Sequence, residues 1–274
     1  MKPANLRRSI FVTGTDTGVG KTLVTAALLR RLREAGIRVA GMKPIAAGVV
    51  AGPEGLANED ALLLQAESSD RHPYALVNPR LFEPAIAPHI AASEAGRPID
   101  MARIAEAHER LAASAEVVLA EGAGGFLVPL DERRSCAEIP GLLGMDVILV
   151  VGLRLGCLNH AFLTVEAIAA RGLTLAGWVG NAIDPAFARS EANLATSRRA
   201  CRRPASASSP GWSSPPLKEP HPASTPPFSW VASLWNRREN PGCGPGPNAY
   251  DARAVCPRSA GNFREFRCTS SIGS

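Results

Sequence analysis

The stretch Gly14-Thr15-Asp16-Thr17-Gly18-Val19-Gly20-Lys21-Thr22 constrains this chain more than any other. A strand-length apolar run, Ser9 to Thr13, enters it, and a run of good helix formers, Leu23 to Arg30, leaves it. Strand, Gly-rich turn, Gly-Lys-Thr and helix predict a phosphate-binding loop. Glycines let backbone N–H groups wrap around phosphate oxygens, and the new helix turns its positive end towards them. Lys21 is expected to reach the β- and γ-phosphates, and the Thr22 hydroxyl to ligate Mg²⁺. The common pattern has four residues between its first Gly and Gly-Lys-Thr. Here there are five, and Thr15 stands in place of the usual glycine.

The chain has 274 residues, enough to bury a substantial core. Its net charge of +5 is unevenly spread. Residues 197–274 hold 11 Lys/Arg against 4 Asp/Glu, whereas residues 1–196 hold 19 against 21. The basic balance therefore belongs to the C-terminal part and argues for no nucleic-acid surface on the rest. The same boundary gathers 12 of the 23 prolines, 3 of the 4 tryptophans and 4 of the 6 cysteines. Such a shift reads as an aberrant Pro/Ser/Arg-rich tail, of the kind that out-of-frame translation of a GC-rich gene would produce. Residues 1–196 form the expected functional domain. Within it Cys136 and Cys157 are too far apart to suggest a disulfide framework or a zinc site. No apolar run is long enough to span a membrane, and the basic N-terminus leads into a strand. The expectation is a cytoplasmic protein with no membrane partner.

From residue 9 to about 180 strand-like runs alternate with helical patterns. Ile37–Met42 predicts a second strand, stopped at Lys43-Pro44. A Gly/Ala-rich loop is expected over 45–55, then a helix opening at Asn58-Glu59-Asp60. Residues 70–90, with four prolines, read as irregular surface. Pro98-Ile99-Asp100 opens a helix to about Ala115. Glu116–Ala120 and Asp146–Val151 read as buried parallel strands, and Leu173–Gly180 as the next. The alternation predicts an α/β fold, a doubly wound and mostly parallel sheet of the P-loop NTPase type. Ligands in such sheets sit beyond the C-terminal strand ends. Lys21, Thr22, Lys43, Asp60 and Glu121 all fall there. Thr22, Asp60 and Glu121 offer hard oxygens suited to Mg²⁺, and the two lysines offer positive charge for phosphoryl transfer. On local pattern alone Asp60 could equally cap its helix and Lys43 could be a solvated strand-end charge.

The chain resembles the dethiobiotin synthetase family. The resemblance rests on Phe11 to Thr22, Lys43-Pro44, Gly55 to Ala61, Pro88-His89-Ile90, Glu121 to Gly125, Val151 to His160 and Gly177 to Asn181, in family order. It implies ATP- and Mg²⁺-dependent carboxylation of 7,8-diaminononanoate by CO₂ and closure to a cyclic urea, through a carbamate and a carbamic-phosphoric anhydride. By this likeness Lys43 is catalytic, with Lys21 and Thr17 touching both substrates. Thr22, Asp60 and Glu121 hold Mg²⁺. Gly18, Val19, Gly20, Lys21, Thr22 and Leu23, with Glu121, Gly122, Ala123 and Gly124, cradle ATP, and Asn181 reads the adenine edge. Thr17, Lys43, Ala47 and Gly124 line the diamine site. The resemblance also implies a homodimer, in which Cys157, Leu158 and Asn159 of one subunit receive the substrate carboxylate of the other. Ala46-Ala47 departs from relatives that have a serine in this loop, so position 47 offers no hydroxyl. Two other readings stand beside the ligase. A partition-type switch ATPase usually carries a second lysine early in the loop, and residues 14–20 have none. A nucleotide-binding remnant is the reading that the abnormal tail suggests.

Overall fold

The structure is a computed structural model that describes residues 8–187, 190–200, 250–256 and 264–270, with side chains for 8–187 and 192–197. The reading of 197–274 as an aberrant tail falls for the most part outside the described residues.

In chain order the elements are β1 (Arg8–Gly14), α1 (Lys21–Glu34), β2 (Val39–Met42), β3 (Ile45–Ala47), β4 (Val50–Gly52), β5 (Gly55–Ala57), α2 (Glu59–Glu67), α3 (Tyr74–Val77), β6 (Arg80–Phe82) and α4 (Pro88–Glu94). They continue with α5 (Met101–Ser114), β7 (Val117–Gly125), α6 (Glu138–Leu142), β8 (Asp146–Leu153), α7 (Cys157–Ala170), β9 (Leu175–Ala182), α8 (Ser190–Ala200), β10 (Tyr250–Cys256) and β11 (Arg264–Ser270). The main sheet runs β11-β10-β9-β8-β1-β7-β2. Its five strands from β9 to β2 are parallel, and β10 and β11 extend the β9 edge antiparallel. The doubly wound, mostly parallel sheet is the architecture the alternation predicts.

Both faces of the parallel part are buried, which is why its strands read as continuous apolar runs. Alternate residues serve opposite faces. Ile10, Val12, Val117 and Leu119 join Val24, Leu28 and Leu29 of α1 and Leu64 of α2 in one cluster. Phe11, Val118 and Ala120 join Ile104, Ala107 and Leu111 of α5 on the other face. Gly41 shows how closely α1 and α2 approach β2. A Cβ there would stand 2.8 Å from Leu29 Cδ1, Leu64 Cβ and the Leu64 carbonyl oxygen alike.

Three expectations are corrected. The 45–55 stretch is not one loop, since it holds β3 and β4, with β4 pairing antiparallel to β5. Residues 70–90 are not irregular surface. They contain α3, β6 and the start of α4, and Val77, Asn78, Arg80 and Phe82 are buried. The strand read as ending at Ala120 runs on to Gly125, because Gly125 pairs with Gly14 of β1. No helix among the described residues is long and apolar enough to cross a membrane.

Candidate active site

Sheet order assembles the site. β7 lies between β1 and β2 in register, with Val12 opposite Glu121 and Met42 opposite Ala120. The residue after Met42 is Lys43, so strand pairing alone sets Lys43 beside Glu121 at the C-terminal edge. β1 meanwhile delivers the phosphate loop to the same edge.

The loop is braced from three sides. Thr15 N–H donates to the Val150 carbonyl of β8 at 2.9 Å. The Asp16 carboxylate accepts from Thr17 N–H at 2.7 Å and from the Arg154 guanidinium at 2.6 Å. Asn181, at the end of β9, donates through Nδ2 to the Val19 carbonyl at 2.9 Å. Lys21 Nζ turns back to the Asp16 carbonyl at 2.8 Å and closes the loop on itself. Gly20, at φ 86°, is in the left-handed region, and a Cβ there would stand 2.1 Å from Asn181 Nδ2. The helix can start only from glycine at this point. Val24 N–H is the first to bond back along the helix, to Gly20. The preceding amides of α1 are left to face the space over the loop, the arrangement that receives phosphate.

Beyond the loop two lysines and two carboxylates share one cluster. Lys43 Nζ donates to Glu121 Oε1 at 2.5 Å and to Asp60 Oδ2 at 2.9 Å. The Thr22 hydroxyl donates to the same Glu121 Oε1 at 2.9 Å. Glu121 is fully buried, and its Oε2 has no hydrogen-bond partner. A buried carboxylate oxygen left bare is costly unless something else is to occupy it. Burial alone would lower the Lys43 pKa, but the charges of Glu121 and Asp60 outweigh it and raise the pKa above the usual lysine value, so Lys43 stays an ammonium. Burial likewise acts to raise the Asp60 pKa, and Lys43 overrides it and holds the carboxyl below its ordinary value. Lys21 goes the other way. Burial first, and then the Lys43 charge, lower it to about 8.

These contacts decide the local ambiguities of the sequence. Asn58, not Asp60, caps α2, accepting from Ala61 N–H at 3.3 Å. Asp60 is thereby left to Lys43. Lys43 is not a solvated charge, being 5 % exposed. Thr22, Asp60 and Glu121 offer hard oxygens, the bare Oε2 among them, and the chemistry of this donor set fits Mg²⁺. Among the described residues no group of three or more His, Cys, Asp or Glu side chains could hold a metal alone. Two carboxylates and a hydroxyl leave the remaining positions to phosphate and water oxygens, as Mg²⁺ bound with a nucleotide prefers.

The other expected site residues lie around this cluster. Gly18, Val19 and Leu23 belong to the loop and the first turn of α1, and Gly122, Ala123 and Gly124 form the end of β7. The Thr17 hydroxyl lies over Gly124, 3.3 Å from where a Cβ would stand. Ala47 ends β3. Cys157, Leu158 and Asn159 make the first turn of α7, and none is hydrogen-bonded to the lysine–carboxylate cluster. Buried Asn181 has its Oδ1 bare, facing no protein donor. Sequence reasoning missed the Asp16–Arg154 brace and the bond from Asn78 Nδ2 to the Lys43 carbonyl at 2.6 Å. Asn78 sits in the Pro-rich stretch read as surface, which masked it.

A model of the AAA domain family matches residues 8–203. An ATP-dependent dethiobiotin synthetase of Pseudomonas paraeruginosa is 53 % identical over 189 residues, covering 69 % of this chain and 83 % of the relative. Its counterpart in Aromatoleum aromaticum is 55 % identical over 194 residues, covering 70 % and 85 %. The chain belongs to the dethiobiotin synthetase family. Another relative of the same name, from Marinobacter nauticus, is 53 % identical over 176 residues, covering 64 % of this chain and 75 % of its own length. The residues that the family model matches, 8–203, contain the whole lysine–carboxylate cluster.

Two outcomes are expected of the site. Lys43→Ala removes the ammonium hydrogen-bonded to fully buried Glu121 and to Asp60, and should cost about 3 kcal/mol of stability in metal-free buffer. Urea unfolding measures this, and Mg²⁺ should narrow the gap; an unchanged midpoint would contradict the pairing. Lys21, at about 8 in the free protein, is largely neutral at about pH 9 and regains its proton when anionic phosphates arrive. ATP binding should therefore take up protons at about pH 9 and almost none at about pH 6.5, as calorimetry in buffers of different ionisation enthalpy would report.

Proposed function

We propose that this chain is an ATP-dependent dethiobiotin synthetase, acting on 7,8-diaminononanoate, CO₂ and ATP. The observation that carries the reading is the buried Lys43–Glu121–Asp60–Thr22 cluster set against the phosphate loop, within a chain of this family. One amine of the diamine adds to CO₂ and loses a proton, giving a carbamate. A carbamate oxygen attacks the γ-phosphorus of ATP and ADP leaves. The second amine then attacks the carbonyl carbon of the resulting carbamic-phosphoric anhydride and expels phosphate, closing the urea ring.

The protein has little covalent work in this sequence and acts by positioning and charge. The loop amides and Lys21 hold the phosphates, with Lys21 drawn back into its protonated form by them. Lys43, kept as an ammonium, steadies the carbamate and the phosphoryl group as negative charge spreads over their oxygens. Mg²⁺, held by Thr22, Asp60 and Glu121, would supply charge neutralisation on the phosphate oxygens. The bare Oδ1 of Asn181 is an acceptor suited to an exocyclic amine such as that of adenine. Thr17, over Gly124, and Ala47 border the volume assigned to the diamine.

The same reading makes the enzyme a cytoplasmic homodimer with the diamine bound across the interface. Exposed apolar side chains at and beside α7 support it. Leu155, Phe162 and Leu163 are 91, 38 and 58 % exposed, and they flank the Cys157–Asn159 turn assigned to the partner's substrate. Residues 1–196 carry the activity in this reading, and 197–274 are a tail foreign to it.

Purified chain supplied with ATP, Mg²⁺, bicarbonate and the diamine should form dethiobiotin and release phosphate only when the diamine is present. Lys43→Ala should lower kcat by about 10²–10³-fold while ATP affinity changes by no more than about three-fold. ATP binding with phosphate release indifferent to the diamine would leave only a nucleotide-binding remnant.

A further inference from the structure

α3 is a single helical turn between two prolines, and its hydrogen bonds converge on the site. Lys43 N–H donates to the Val77 carbonyl at 2.7 Å, and the Lys43 carbonyl accepts from Asn78 Nδ2 at 2.6 Å. Both polar groups of the Lys43 backbone are thus held by adjacent residues. Pro44, which has no N–H, follows directly. Asn78 Oδ1 in turn accepts from the Tyr74 hydroxyl at 3.1 Å, and the Tyr74 oxygen accepts from Asn58 N–H at 2.7 Å. Asn58 is the residue that caps α2, two positions before Asp60.

The direction of donation is consistent from end to end. Asn58 N–H donates to Tyr74, Tyr74 O–H to Asn78, and Asn78 N–H to Lys43 C=O. The Tyr74 hydroxyl accepts from the Asn58 amide and donates onward to the Asn78 amide oxygen, and a flipped Asn78 amide would set oxygen against oxygen at Lys43. Asn78 is buried, 4 % exposed, so water cannot readily replace either bond.

We infer that Tyr74 and Asn78 are positioning residues that lock the Lys43 backbone to the start of α2, and so fix Lys43 and Asp60 relative to each other. The inference rests on the reading that these two residues serve the reaction. Neither Tyr74 nor Asn78 touches substrate in this account. They act because the Lys43–Asp60 contact joins two long side chains, which a shift of either backbone would misplace. Holding reacting groups to within a fraction of an ångström is where such a lock is felt in rate.

The test compares Tyr74→Phe, Asn78→Ala and the double variant with Gln65→Ala. Gln65 joins α2 to the segment just before α3 by a bond to the His72 carbonyl at 2.7 Å, without touching the Lys43 chain. Tyr74→Phe should lower kcat about ten-fold and raise the Mg²⁺ needed for half-maximal rate several-fold, with KM for ATP within about two-fold. The double variant should be no slower than Asn78→Ala, since a chain cut once is cut. Gln65→Ala should lower the unfolding midpoint and leave kcat within about two-fold. Acetic anhydride labelling of Lys43, read by mass spectrometry, should quicken several-fold in Tyr74→Phe and not in Gln65→Ala. A Tyr74→Phe kcat within two-fold of the parent, an equal loss in Gln65→Ala, or losses that add in the double variant would overturn the inference. Should Asn78→Ala not fold, Tyr74→Phe against Gln65→Ala decides alone. If the parent itself shows no diamine-dependent turnover, the reading of the site has failed, and the labelling rate then decides the positioning claim separately: unchanged labelling overturns it.

Discussion

The contact between Lys43 and Glu121 is the interaction on which the rest of the site depends. Two opposite charges sit almost out of reach of water, which costs several kcal/mol per ion before their attraction is counted. The pair is tolerable because its hydrogen bonds are many and directed. Lys43 has two carboxylate partners, and Glu121 Oε1 has two donors. Glu121 Oε2, the carboxylate's other oxygen, lacks a protein partner. The protein thus carries one buried acceptor without a donor, on the carboxylate that Thr22 and Lys43 already hold.

That pair follows from the order of strands rather than from any local motif. Because β7 separates β1 from β2, a carboxylate one residue past Ala120 and a lysine one residue past Met42 must be neighbours. The phosphate loop arrives beside them because β1 pairs with the other edge of β7. Charge balance in the cluster then sorts the two lysines. Lys43, facing both carboxylates, keeps its proton firmly, while Lys21, shielded from water and repelled by Lys43, holds its proton loosely until an anion arrives.

Much of this was legible in the sequence, and the reasons are local. The loop from Gly14 to Thr22 carries its own turn chemistry, and the runs before Lys43 and Glu121 announce their strands by apolar composition. The Asn58 cap was also visible, although which of Asn58 and Asp60 did the capping was not. What escaped the sequence is non-local. β3 forms only because it pairs with β6, some 35 positions on, from Ile45 opposite Arg80. Asn78 looks like a turn residue among prolines until Lys43 is placed against it. The run from Gly122 to Gly125 reads as loop because glycine disfavours strands, and it is drawn into β7 by the neighbouring β1.

The central claim is that the phosphoryl group passes to a carbamate held beside Lys43, and not to water. It is tested most directly by following oxygen from ¹⁸O-labelled bicarbonate in ordinary water, at times short against exchange. The account expects one labelled oxygen in each phosphate released with the cyclic urea, because the carbamate oxygen that attacks phosphorus leaves with it. Phosphate free of label, in the presence of the diamine, would mean that water attacks ATP, and would contradict the account.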